Sequence, residues 1–185
     1  MDAVVITAVV VVGLLGVLNL MLLLAVLRRL REYEAKWALA GLDRIVEGKS
    51  SPAPGHRVTD FEARSLDGAT VSSRGLTDLL VTGFFSTGCP SCREEVPRFV
   101  EYAAAMPGGP ERKLAVVSGT AEQGADIIDA VRQVAQVVVE PQDGPVAGAF
   151  GVVGSPTFVL LDQDGAVRTS AASIRELTSL QATAG

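Results

Sequence analysis

Cys89-Pro90-Ser91-Cys92 holds the only two cysteines of a 185-residue chain. Two thiols separated by two residues can close into a disulfide and open again. The chemistry that this spacing offers is thiol–disulfide exchange. Exchange needs one accessible thiolate to attack and a second thiol within reach to resolve the mixed disulfide. The run Leu79-Leu80-Val81-Thr82-Gly83-Phe84-Phe85 before the pair reads as a buried strand, and Arg93 to about Met106 after it reads as a helix. That arrangement puts Cys89 at a helix N-terminus, where unpaired N–H groups and the helix dipole favour a negative sulfur. Cys92 would lie one turn further in, more buried and suited to resolving. Pro90 would fall among the first helical positions, where a missing N–H costs little.

Other chemistries find too few residues. Two cysteines cannot staple a small fold. A tetrahedral zinc site usually takes four Cys or His ligands, and Cys89, Cys92 and the single His56 fall short. A c-type haem attachment needs His where Arg93 stands. No metal and no cofactor is expected. The net charge is −5. It divides unevenly: residues 1–49 carry six Lys/Arg against five Asp/Glu, and residues 50–185 carry ten against sixteen. An acidic remainder argues against nucleic acid as a partner, because phosphate neutralisation needs clustered Lys and Arg.

The elements that must position the dithiol follow from the pattern around it. Ala3 to Leu27 is an uncharged run rich in Val and Leu. At ~1.5 Å per residue it is long enough to cross a ~30 Å hydrocarbon core. Residues 1–27 are therefore expected to form a membrane anchor rather than a cleaved signal peptide, since six charged residues separate the run from Ala38-Leu39-Ala40. Residues 28–47 read as a juxtamembrane helix or stalk, with Tyr33 and Trp37 suited to the interface. Residues 48–55 form a linker by composition, and a domain spans 56–185. Its Asp67-Gly68 pair predicts a hairpin between Val58 and Ser73. Strands are predicted at 113–118, 137–139 and 157–161, and after the turn Asp162–Gly165. Helical spacing marks 121–135, 144–150 and a final helix near Ile174, Leu177 and Leu180. The sum is an α/β domain, a mixed central sheet flanked by helices.

The segment from Gly83 to Pro97 resembles the active-site segment of the thioredoxin superfamily. Within it, the chain is most similar to the TlpA/ResA-like and MauD-like membrane-anchored oxidoreductases, with a redoxin or AhpC/TSA-type domain. The likeness includes Asp60-Phe61 and Asp67-Gly68 before the dithiol, and Gly154-Ser155-Pro156-Thr157 and Asp164-Gly165 after it. The resemblance implies a thioredoxin-like fold and a protein-disulfide oxidoreductase with Cys89 and Cys92 as its redox-active disulfide. It implies that Pro156 is cis and that Ser155 offers backbone groups to a substrate cysteine, with Pro90 and Ser91 also at the substrate face. It implies proton handling by Glu95, three residues beyond Cys92. The partners implied are a protein carrying a disulfide or dithiol and a separate redox protein that resets the pair.

Two departures stand out. Thioredoxins carry Trp before the first cysteine, where this chain has Gly88, and a buried Asp six residues before it, where this chain has Gly83. Two rivals remain beside the oxidoreductase reading. A peroxiredoxin-like thiol peroxidase typically has Thr three residues before its cysteine, and here Ser86 stands there. A non-catalytic membrane-bound interaction module would keep its function without the cysteines. Orientation is pulled both ways. Arg28, Arg29, Arg31 and Lys36 after the apolar run favour a cytoplasmic domain by the positive-inside rule. The resemblance implies an extracytoplasmic one.

Overall fold

The computed structural model describes Ile6, Gly13, Met21, residues 51–78 and residues 80–183. The chain divides into two units, Met1–Val46 and Glu47–Gly185. The expected anchor and stalk lie outside the described residues, except for Ile6, Gly13 and Met21, which are helical. Among the described residues, no helix is long and apolar enough to cross a membrane.

The second unit opens with the predicted hairpin. Strands β1 (Glu62–Arg64) and β2 (Thr70–Ser72) pair antiparallel, with Ala63 opposite Val71. Gly68, at φ 88°, makes the turn that a Cβ would resist. The Ser65 hydroxyl donates to the Asp67 carboxylate within it. The hairpin forms a two-stranded sheet of its own, apart from the main sheet.

The main sheet has the order β5-β4-β3-β6-β7. Its central strand β3 (Val81–Ser86) runs parallel to β4 (Lys113–Ser118) and antiparallel to β6 (Thr157–Leu161). β4 is parallel to β5 (Gln136–Glu140), and β6 is antiparallel to β7 (Val167–Ala171). Helix α1 (Pro90–Ala105) follows β3, α2 (Ala125–Val131) follows β4, α3 (Pro145–Phe150) follows β5, and α4 (Ile174–Thr183) ends the chain. This is the mixed sheet that the pattern implied, in the thioredoxin-like fold that the resemblance implied.

Strand alternation divides the core between the two faces of the sheet. Phe85 joins Cys92, Val96 and Phe99 of α1, Ile127 of α2 and Leu177 of α4 on one face. Phe84 joins Phe61, Val146, Phe150 and Val159 on the other. The Phe85 ring lies 5.4 Å from Phe99 and 5.7 Å from Phe158, both edge-on. Each such buried ring contributes about 1.5–3 kcal/mol by removal from water.

One predicted helix is shorter than its apolar spacing. The helix expected over 121–135 holds only Ala125–Val131. Gly124, a poor helix former, sits before it and packs so close that a Cβ would lie 3.0 Å from Thr87 Cγ2. Helix α1 begins at Pro90, among the first helical positions as expected, and continues through Pro97.

Candidate active site

β3 ends at Ser86, and three residues, Thr87 to Cys89, separate it from α1. The turn is fixed by backbone bonds: Thr87 N–H donates to Ser118 O at 3.0 Å, and Cys89 N–H to Ser86 O at 3.2 Å. Cys89 is the N-cap of α1, in extended conformation at φ −106° and ψ 108°, with Pro90 in the first helical position. The Cys89 sulfur thus takes the place of an N-cap oxygen. It accepts the backbone N–H of Cys92 at 3.2 Å. The Ser91 hydroxyl lies 3.2 Å from the same sulfur. As a thiol, Cys89 donates to the carbonyl of Ser155 at 3.4 Å, and the Ser155–Pro156 bond is cis.

The two thiols have opposite surroundings. Partial burial alone would raise Cys89, but the bonds from Cys92 and Ser91 outweigh it and hold its pKa below the ordinary value. Cys92 has no exposed surface. Burial, and then the neighbouring Cys89, push its thiol up to about 12, against a weaker opposing bond from Ser86 N–H. That bond is 3.4 Å long. A thiolate is therefore favoured at the half-exposed sulfur and disfavoured at the sealed one. This is the division that attack and resolution require.

The residues expected around the dithiol are placed unevenly. Ser155 joins Cys89 and Gly88 on the wall of a cleft of about 350 Å³. Ser91 serves the Cys89 sulfur from the exposed first turn, and Pro90 is exposed beside it. Glu95 is buried on the same helix, but neither of its oxygens bonds a sulfur. One accepts the backbone N–H of Ile174 at 2.9 Å, and the other pairs with Arg98. The carboxylate joins α1 to the start of α4.

The two departures from thioredoxin have different structural meanings. Gly88 has open space where a Cβ would stand. Gly83 has none: a Cβ there would lie 2.9 Å from the rings of both Phe85 and Phe99. The place of a buried acid is taken by aromatic carbon. Among the described residues, no group of three or more His, Cys, Asp or Glu gathers to hold a metal ion. Gln142 and Asp143 also line the cleft. They lie 50 and 51 positions beyond Cys92 in no recognisable motif, and only the fold brings their loop to the site.

A family model for the AhpC/TSA family matches residues 54–170. No curated protein sequence matches the chain. Among solved structures, the thioredoxin domain of a thiol–disulfide oxidoreductase from Bacteroides vulgatus superposes with a TM-score of 0.59. It is 20% identical, over 72% of this chain and 98% of that one. A secreted Mycobacterium tuberculosis disulfide oxidoreductase homologous to E. coli DsbE gives a TM-score of 0.54 at 22% identity, over 66% and 95%. MTB DsbF, in mixed oxidised and reduced forms, gives 0.55 at 25% identity, over 64% and 90%.

Proposed function

The chain belongs to the AhpC/TSA family, and from that premise we propose that it is a membrane-tethered oxidoreductase exchanging disulfides with protein substrates through Cys89 and Cys92. One observation carries the reading. The half-exposed Cys89 sulfur caps α1 and accepts the Cys92 N–H at 3.2 Å, while the Cys92 sulfur one turn inside is sealed from solvent.

In the reducing direction, the Cys89 thiolate attacks one sulfur of a substrate disulfide. The substrate S–S bond breaks, and one substrate thiolate leaves. Cys92 then loses its proton and attacks the Cys89 sulfur. The mixed disulfide breaks, the second substrate thiolate leaves, and Cys89–Cys92 is oxidised by two electrons. A separate redox protein returns those electrons. Ser155, whose carbonyl faces Cys89, supplies a backbone edge against which a substrate segment lies as an added strand. Pro156, Pro90 and Ser91 complete the docking face. For Glu95 to exchange protons with the dithiol, it would first have to release Ile174 or Arg98.

The uncharged run 3–27 supports a single membrane anchor. We place the domain outside the cytoplasm, following the family likeness, although the basic residues after the run speak for the reverse. An impermeant thiol label applied to intact cells tests this: reaction of Cys89 only after lysis would put the domain inside.

The function is tested by trapping. Cys92→Ser leaves the mixed disulfide unresolved, so a Cys89-linked adduct with the physiological partner should accumulate. Absence of any adduct, under conditions in which Cys89 is alkylated, would defeat the reading. The hairpin beginning at Phe61 favours a second reading, a thiol peroxidase. Turnover of peroxide with a thiol reductant would establish that activity.

A further inference from the structure

The cleft beside Cys89 has a second wall, built by the segment between β5 and α3. Glu140 ends β5 with its side chain buried. Its two carboxylate oxygens accept the backbone N–H groups of Val146 at 2.8 Å and Ala147 at 2.9 Å, in the first turn of α3. Its own carbonyl accepts the N–H of Gly119 at 2.9 Å, at the end of β4. The clasp leaves Pro141–Gly144 to close the gap as a tight loop. A side chain at Gly144 would collide with the Glu140 carboxyl group.

Near the crest of that loop stands Asp143 at φ 59°. It is the single non-glycine residue with positive φ among those described. Aspartate tolerates this region better than most residues, but the conformation still has a cost and persists where the surroundings impose it. Asp143 is exposed and lines the same cleft as the reactive sulfur of Cys89. Among the described residues, Asp143 is the only charged one on that lining, which includes neither Lys nor Arg.

We propose that Asp143 selects substrates by charge: the site favours disulfides flanked by a basic residue or an amine and disfavours anionic ones. The proposal rests on the oxidoreductase reading of Cys89. A lone carboxylate beside the path of approach attracts a cation and repels an anion over roughly 8–10 Å at moderate ionic strength. Being exposed, it is screened by salt. Glu140 is the positioning residue, since its clasp sets the loop that carries Asp143.

The test uses the full chain in detergent, reduced, and three small disulfides: cationic cystamine, neutral hydroxyethyl disulfide and anionic dithiodiglycolate. Each reaction consumes the two protein thiols, releases two small thiols and leaves the Cys89–Cys92 bond. Rates with the charged reagents are divided by the rate with the neutral one, and the cystamine-to-dithiodiglycolate ratio is compared between wild type and Asp143→Asn. That comparison cancels the reagents' own reactivities. The substitution should lower the ratio about two- to fivefold, the size of an exposed charge interaction. In about 1 M salt, where the Debye length is ~3 Å, the two proteins should converge. An identical ratio in both proteins at low salt overturns charge selection while leaving the oxidoreductase reading intact. If the reduced protein reacts with none of the three reagents, both readings fall.

Discussion

Glu95 Oε2 accepts the backbone N–H of Ile174 at 2.9 Å, so a carboxylate one turn beyond the dithiol holds the first residue of the last helix. The bond bridges residues that are remote in sequence and is buried. Its removal strands a donor at the α4 N-terminus and leaves Arg98 without its acid. Glu95→Ala should lower stability by about 1–3 kcal/mol, the usual consequence of an orphaned buried donor, measured by denaturant unfolding. Glu95→Gln should recover part of that loss while leaving the pH profile of Cys89 alkylation in place. A profile displaced by Glu95→Gln would instead make this carboxylate a proton carrier for the dithiol.

The two sulfurs should separate cleanly by pH. Cys89 is held below the ordinary thiol value, so its alkylation should rise with pH through a midpoint below that of a free cysteine, about 8.5. Cys92, at about 12, should stay unlabelled across the neutral range. Mass spectrometry of the alkylated, reduced protein reads both.

Cys92 also makes stability depend on pH. Its folded pKa lies above the unfolded one, so the contribution of the buried thiol is complete below the unfolded value. It is lost as pH rises from about 9 towards about 12, because the unfolded thiol ionises first. The reduced protein should weaken through that window, and Cys92→Ser should remove this share of the weakening.

The Ser91 hydroxyl, 3.2 Å from Cys89 Sγ, is one of the groups holding that thiol down. Ser91→Ala should raise the alkylation midpoint and so slow Cys89 labelling at neutral pH.

Gly83 is fixed by aromatic packing. A Cβ 2.9 Å from two rings forces them to move, so Gly83→Ala should destabilise by about 1–3 kcal/mol. Gly83→Asp should do worse, since it adds a carboxylate to that packing. Thermal unfolding of the two variants is the measurement.

The sequence carried the frame well because its signals are local. The run Val81–Phe85 and the run Thr157–Leu161 are apolar enough to declare central strands. Asp67-Gly68 declares its turn. The spacing of Cys89 and Cys92 puts one thiol at the helix start and the other inside the first turn. What it did not carry depends on meetings between distant segments. Nothing near Glu95 indicates that its carboxylate would be engaged by Ile174. Nothing near Gln142-Asp143 indicates a cleft shared with Cys89. Gly83 reads as a missing acid until the rings of Phe85 and Phe99 are seen filling the space. The helix over 121–135 was overestimated for the opposite reason. Its apolar spacing was real, but the chain enters by a tight turn at Thr120–Gly124 that packs on Thr87.

Cys92 has no exposed surface, and Cys89 is half-buried beside it. The domain therefore has a single port for electrons. On the proposed reading, a substrate and a protein that resets the dithiol would both use Cys89, so the two would take turns. Each should then act as a competitor of the other, and steady-state rates should follow a double-displacement pattern, with parallel reciprocal plots, rather than a ternary complex.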